Sequence, residues 1–95
     1  MATREQIIEM LETVTDPELG LDIWTMGLVY EIDIKSDTHL QLLITYTSPM
    51  CPAGPIIQQE ITDSMRQIGF SAVEIEVTFD PPWKPTDKLR AALGI

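Results

Sequence analysis

The amino-acid sequence predicts an α/β two-layer sandwich of order α-β-β-α-β-α, in which a three-stranded sheet is covered on one face by helices. Three observations carry this expectation. Two stretches place apolar residues at helical spacing, and three others alternate apolar and polar residues with the period of a strand. One of the helical stretches falls between the second and third strands, as a crossover between parallel strands requires. At 95 residues the chain is read as one domain, residues 1–95, able to bury roughly 65% of its unfolded surface without a staple.

The first element opens on Thr3-x-x-Gln6, a capping box, and Ile7, Met10, Leu11 and Val14 follow at helical spacing, so a helix is expected over residues 3–15. Asp16-Pro17 must stop it. Residues 16–27, "DPELGLDIWTMG", carry turn signals at both ends and an apolar middle, and are expected to form an ordered loop tucked against the core. The period then changes to two. Leu28, Tyr30, Ile32 and Ile34 form the apolar set of one strand, and Leu40, Leu42, Ile44 and Tyr46 that of the next, with the turn "KSDT" between them.

A second helix is expected from about Pro55, marked by Ile57, Ile61, Met65 and Ile68 and ended by Gly69. Val73, Ile75, Val77 and Phe79 then alternate with Glu74, Glu76 and Thr78 in a third strand, stopped by "DPPWKP". Residues 86–93 can form a short last helix. The third strand should run parallel to the second, and the helix-side face should carry Leu28, Tyr30, Ile32, Leu42, Ile44, Val73, Ile75 and Val77.

Six Lys and Arg against fifteen Asp and Glu give a formal charge of −9, which repels phosphate backbones and anionic lipid. Nucleic acid and membrane surfaces are therefore poor partners, whereas cations or a basic protein surface suit the chain. No leader segment opens it and no apolar run approaches the roughly 20 residues that span a bilayer, so a cytoplasmic protein is expected.

Chemistry centres on "TSPMCPAGP", residues 47–55, where the single cysteine stands among prolines 49, 52 and 55. Each proline fixes its own φ and pushes the preceding residue out of the α region, so the direction of the Cys51 thiol is largely pre-set. A few residues later a helix begins, and its free N–H groups favour thiolate, the metal-binding form. The alternative is a small buried apolar residue, and spacing alone favours neither. An iron-sulfur cluster usually takes about four cysteines, so one chain cannot hold a cluster by itself; any cluster would be shared with a second subunit or a partner protein.

Asp16 and Glu18, in "DPELG", either cap a turn begun by Pro17 or supply oxygen ligands beside Cys51, and residue type favours the turn. His39 is expected to be a solvated residue on the wet face of strand 2. Trp83 is either a plug over the core edge or an anchor for a partner. Glu31, Asp33, Glu74 and Glu76 read as a solvated sheet face that could dock a basic protein. No CxxC, Ser-His-Asp spacing, glycine-rich phosphate loop or HExxH is found, so the chain is read as no enzyme.

Taken together, "DPELGLDIWTMGLVYEI", "TSPMCP" and "VTFDPPWKP" resemble the SufT-like family of iron-sulfur cluster assembly proteins, also met as the amino-terminal part of PaaD proteins of phenylacetate degradation. The resemblance implies a small α/β domain that helps mature iron-sulfur proteins, with Cys51 as the reactive residue of its T-x-P-x-C-P motif. Asp16, Pro17 and Glu18 match its Asp-Pro-Glu motif, Thr47 its threonine, and residues 79–83 its Phe-Asp-Pro-Pro-Trp motif. Lys84 stands where many relatives have Thr or Ser. The cysteine-rich tail of PaaD proteins has no counterpart before Ile95, so a general assembly factor is the closer expectation.

The function expected is therefore an accessory factor in iron-sulfur cluster assembly or transfer. Cys51 is its metal ligand, and Asp16, Glu18 and Thr47 converge on it. The cargo is a transient cluster or iron shared between chains, in a homodimer or with client and assembly proteins. The alternative is a non-metal adaptor that recruits such proteins through its acidic surface.

Overall fold

The computed structural model describes residues 2–17, 20–47, 54–85, 87, 90, 91 and 94. The first helix, α1 (Arg4–Leu11), starts as its sequence dictates: Gln6 N–H bonds to Thr3 Oγ1 at 3.2 Å and Thr3 N–H to Gln6 Oε1 at 2.9 Å. It ends earlier than its periodicity predicts. Thr13 and Val14 bond back to Met10 and Leu11 in a tightened last turn, and the Val14 carbonyl accepts instead from Ile23 N–H at 2.9 Å. Thr15 pairs with Asp22 in a short antiparallel bridge. Residues 14 and 15 thus serve a pairing with the following loop that outcompetes another helical turn.

Strands β1 (Val29–Ile34) and β2 (His39–Ile44) form the expected antiparallel hairpin. Helix α2 (Gly54–Gln67) leads into β3 (Ala72–Val77), which pairs with β2 in parallel, giving the strand order β1-β2-β3. Helix α2 closes on a left-handed Gly69 (φ 112°), with Phe70 N–H returning to Met65 O and Gly69 N–H to Arg66 O. The buried Phe70 side chain completes this C-terminal motif. Of residues 86–93, Asp87, Arg90 and Ala91 are helical, and the rest lie outside the described residues.

The core lies between the helices and one face of the sheet. Leu40, Leu42 and Ile44 of β2 are fully buried, as are Ile7 and Leu11 of α1 and Ile57, Ile61 and Met65 of α2. Val73, Ile75 and Val77 pack against this cluster from β3, and α1 packs against α2. Tyr30 departs from the predicted face. A bulge between Val29 and Glu31 shifts the register, so Val29 packs against the core, while the Tyr30 hydroxyl donates to Pro81 O at 2.8 Å.

Residues 20–28 are tucked in as expected, with Ile23, Met26 and Leu28 buried. The segment after β3 folds back over them: Trp83 Nε1–H donates to Met26 O at 2.6 Å, and its ring packs on the core. Trp83 is thus a half-buried plug that also ties two segments together. Trp83→Phe keeps an aromatic ring but removes that donor. It should cost about 1 kcal/mol, lowering the melting temperature by roughly 4–8 °C in thermal melts followed by circular dichroism. An unchanged melt would mean that the tie contributes no stability.

Helices α1 and α2 leave the other face of the sheet uncovered. His39, Gln41 and Leu43 of β2 lie there, with Glu31 and Asp33 on one side and Glu74 and Glu76 on the other. His39 is only partly exposed and less free than expected. Its Nε2 lies 3.0 Å from the Glu74 carboxylate. Lys35 Nζ pairs with Asp33 at 2.7 Å, and this hydrogen bond raises the lysine's pKa above its ordinary value.

Candidate functional site

The sheet brings the described parts of three motifs, the Asp16 turn, the stretch ending at Thr47 and the segment after β3, to one end. Strands β2 and β3 run parallel, so their carboxyl ends emerge side by side, joined by Thr78 N–H to Ile44 O at 2.9 Å. Strand β1 runs the other way and begins there. Loops at the carboxyl ends of parallel strands have no further ladder partners to satisfy, so they are free to carry function.

Asp16 reaches this end through main-chain bonds. Thr45 N–H bonds to Leu28 O at 2.8 Å, Leu28 N–H to Ile23 O at 3.0 Å, and Ile23 N–H to Val14 O at 2.9 Å. These three bonds connect the residue after β2 to the end of α1. The Asp16 turn is closed by Asp16 N–H to Leu21 O and Gly20 N–H to Asp16 O, each 2.8 Å, with Gly20 in a left-handed conformation (φ 71°). The turn role expected for Asp16 is thus present in its main chain. Its side chain is buried as well, at 1% exposure, which an ordinary surface turn does not require.

Thr47 is half-buried at the carboxyl end of β2, two residues beyond the fully buried Thr45. Glu18 and Cys51 lie outside the described residues. The Asp16 turn, the stretch ending at Thr47 and the Phe79–Trp83 motif are accordingly gathered at one end of the sheet. Among the described residues, no group of three or more His, Cys, Asp or Glu could hold a metal ion.

Sequence reasoning missed the residue that organises the start of α2. The Tyr46 ring lies directly over Gly54, where a Cβ would come within 3.0 Å of Tyr46 Cζ. Its hydroxyl accepts from Gln58 Nε2 at 2.6 Å and donates to Gly54 O at 3.3 Å. Phe79 packs on the same ring, with centroids 6.3 Å apart and planes tilted by 53°. Phe79 and Ile56 are the large apolar side chains left exposed among the described residues. By alternation alone, Tyr46 reads as the last apolar position of strand 2. The one available signal was a glycine at the helix start, where no glycine is otherwise needed.

Residues 4–77 match the family described as iron-sulfur cluster assembly protein. The chain belongs to that family. Among curated relatives of this iron-sulfur cluster assembly family, it is 38% identical to the Fe-S protein maturation auxiliary factor YitW of Bacillus subtilis, over 99% of this chain and 96% of that protein. It is 35% identical to the Fe-S protein maturation auxiliary factor SufT of Staphylococcus aureus, over 74% of this chain and 81% of that one. A solved structure of a conserved hypothetical protein from Thermotoga maritima superposes with a TM-score of 0.84 at 40% identity, covering 99% of this chain and 96% of its own. The α/β fold and the family resemblance expected from the motifs are both borne out. Among the described residues, no helix is long and apolar enough to cross a membrane.

Proposed function

We propose that the protein is an accessory factor in iron-sulfur cluster assembly or transfer, in which the Cys51 thiolate binds iron or a cluster as cargo. The observation that carries this reading is family membership over residues 4–77, with relatives named as Fe-S protein maturation auxiliary factors. The gathering of the Asp16 turn, the Thr47 stretch and the Phe79–Trp83 motif at one end of the sheet agrees with it. A cluster needs about four thiolate ligands, and this chain has one cysteine. The remaining ligands come from a second copy or from the client, an arrangement suited to handing cargo over. Asp16 and Glu18 supply oxygen donors or hydrogen bonds beside the thiol, and Thr47 a hydroxyl.

Anaerobic reconstitution with iron and sulfide, followed by absorbance, tests the reading. The wild type should gain the charge-transfer bands of a thiolate-bound cluster with more than one chain per cluster, and Cys51→Ser should gain none. Identical spectra for the two proteins would sink it.

A second reading is an adaptor that uses no metal and recruits basic client or assembly proteins. It is favoured by the open sheet face, where register sets Glu31 and Glu76 on either side of Leu43, and Asp33 and Glu74 on either side of Gln41. Glu74→Lys together with Glu76→Lys should abolish activity under this reading and leave cluster binding untouched under the first.

A further inference from the structure

We propose that the outer edge of β3 is a docking site for an extended segment of a partner protein in which basic and apolar residues alternate, added to the sheet as a fourth strand. The strand order β1-β2-β3 leaves two edges, and they are not alike. The β1 edge is guarded: a bulge interrupts it between Val29 and Glu31, and Lys35 beyond its end pairs with Asp33. Strand β3, "AVEIEV", runs in unbroken register with β2 and holds no proline, glycine or lysine. The chain that follows leaves it toward the β1 side, since Pro81 O accepts from the Tyr30 hydroxyl and Trp83 is bonded to Met26 O. Among the described residues, none makes a main-chain bond to the outer edge of β3.

That edge offers three kinds of contact at once. Ala72 N–H and Thr78 N–H donate toward β2, to Thr38 O at 3.0 Å and Ile44 O at 2.9 Å. By the two-residue period of a strand, the N–H and C=O groups of Val73, Ile75 and Val77 point the other way, to the free edge. The side chains of these three residues pack on the core but stay half-buried, where Leu40, Leu42 and Ile44 of β2 are fully buried. An added strand would bond to the free main-chain groups and extend this apolar layer with its alternate side chains. Its remaining side chains would meet Glu74 and Glu76 on the opposite face. Glu74 lies against His39 Nε2, and Glu76 takes part in no ion pair among the described residues. Neighbouring carboxylates call for lysine or arginine in the incoming strand. They also argue against a second copy of this chain, because β1 presents Glu31 and Asp33 on the same face and the formal charge is −9. The inference goes beyond both readings of the function, since a cargo carrier and an adaptor alike must hold a partner.

The probe is a blocked synthetic peptide of about eight residues in which lysine and valine alternate, titrated into the isotopically labelled protein and followed by nuclear magnetic resonance. Binding should slow hydrogen exchange at the Val73, Ile75 and Val77 amides by about tenfold or more. Three changes should each weaken binding by about tenfold: methylating alternate peptide nitrogens, which removes donors; scrambling the peptide, which keeps its charge and loses its alternation; and Glu74→Lys with Glu76→Lys in the protein. Thermal melts establish that the doubly substituted protein is folded; if it is not, Glu74→Gln with Glu76→Gln takes its place. No binding, undiminished binding of the scrambled or methylated peptide, or binding without protection of those three amides overturns the proposal. Binding that needs the glutamates but protects none of the three amides would remove the edge and leave the acidic face as an adaptor surface. Iron plays no part in the measurement, so its outcome is separate from that of reconstitution.

Discussion

Cys51→Ser is expected to leave the fold intact and to abolish support of iron-sulfur protein maturation. Serine nearly matches cysteine in volume, so the exchange makes little cavity. Its hydroxyl stays protonated near neutral pH and is a poor iron ligand where a thiolate is a good one. The variant should melt within a few degrees of the wild type, yet fail to restore a cluster-dependent enzyme in cells lacking the native protein. Loss of activity together with loss of folding would instead assign Cys51 to packing. Full restoration by Cys51→Ser would promote the adaptor.

Asp16→Ala should lower both stability and activity, because this residue is turn-former and buried polar group at once. Its main-chain bonds to Leu21 and Gly20 survive the change, but the side chain is 1% exposed and its loss leaves a polar environment without its carboxylate. A deficit of roughly 1–3 kcal/mol is expected, a fall of about 5–20 °C in melting temperature for a domain of this size. Asp16→Asn separates the two jobs. It keeps volume and a carbonyl acceptor but not the charge, so it should recover much of the stability and little of the activity. An asparagine variant with full activity would reduce Asp16 to a structural turn.

The two variants probe different depths of what the sequence makes legible. Cys51 stands out in the sequence because prolines act through covalent geometry, which needs no tertiary context to be read. Asp16 stands out only as a turn residue, since "DPELG" has the chemistry of a turn whether or not it is functional. Its burial accompanies a relay of main-chain bonds, from Val14 to Ile23, from Ile23 to Leu28 and from Leu28 to Thr45 after β2, a long-range arrangement that no local pattern encodes. Tyr46 shows the limit most clearly. Its alternation with Leu42 and Ile44 is that of a strand, but the strand ends at Ile44 and the side chain turns to a helix that begins eight residues later.

By itself the sequence determined the capping box at Thr3, the hairpin, the C-terminal glycine of α2 and most of the core, because each follows from backbone geometry or hydrophobic period within a dozen residues, and it determined the parallel third strand because a helix between two strands makes a crossover. Its three motifs also determined the family. Only the tertiary structure decided that α1 stops at Leu11, that a bulge turns Tyr30 to Pro81, that Trp83 is held by Met26 and that Tyr46 lies over Gly54. In each of these cases the deciding partner lies outside the element: local propensity offered alternatives within a few kcal/mol of one another, and a hydrogen bond or packing contact from a distant segment chose between them.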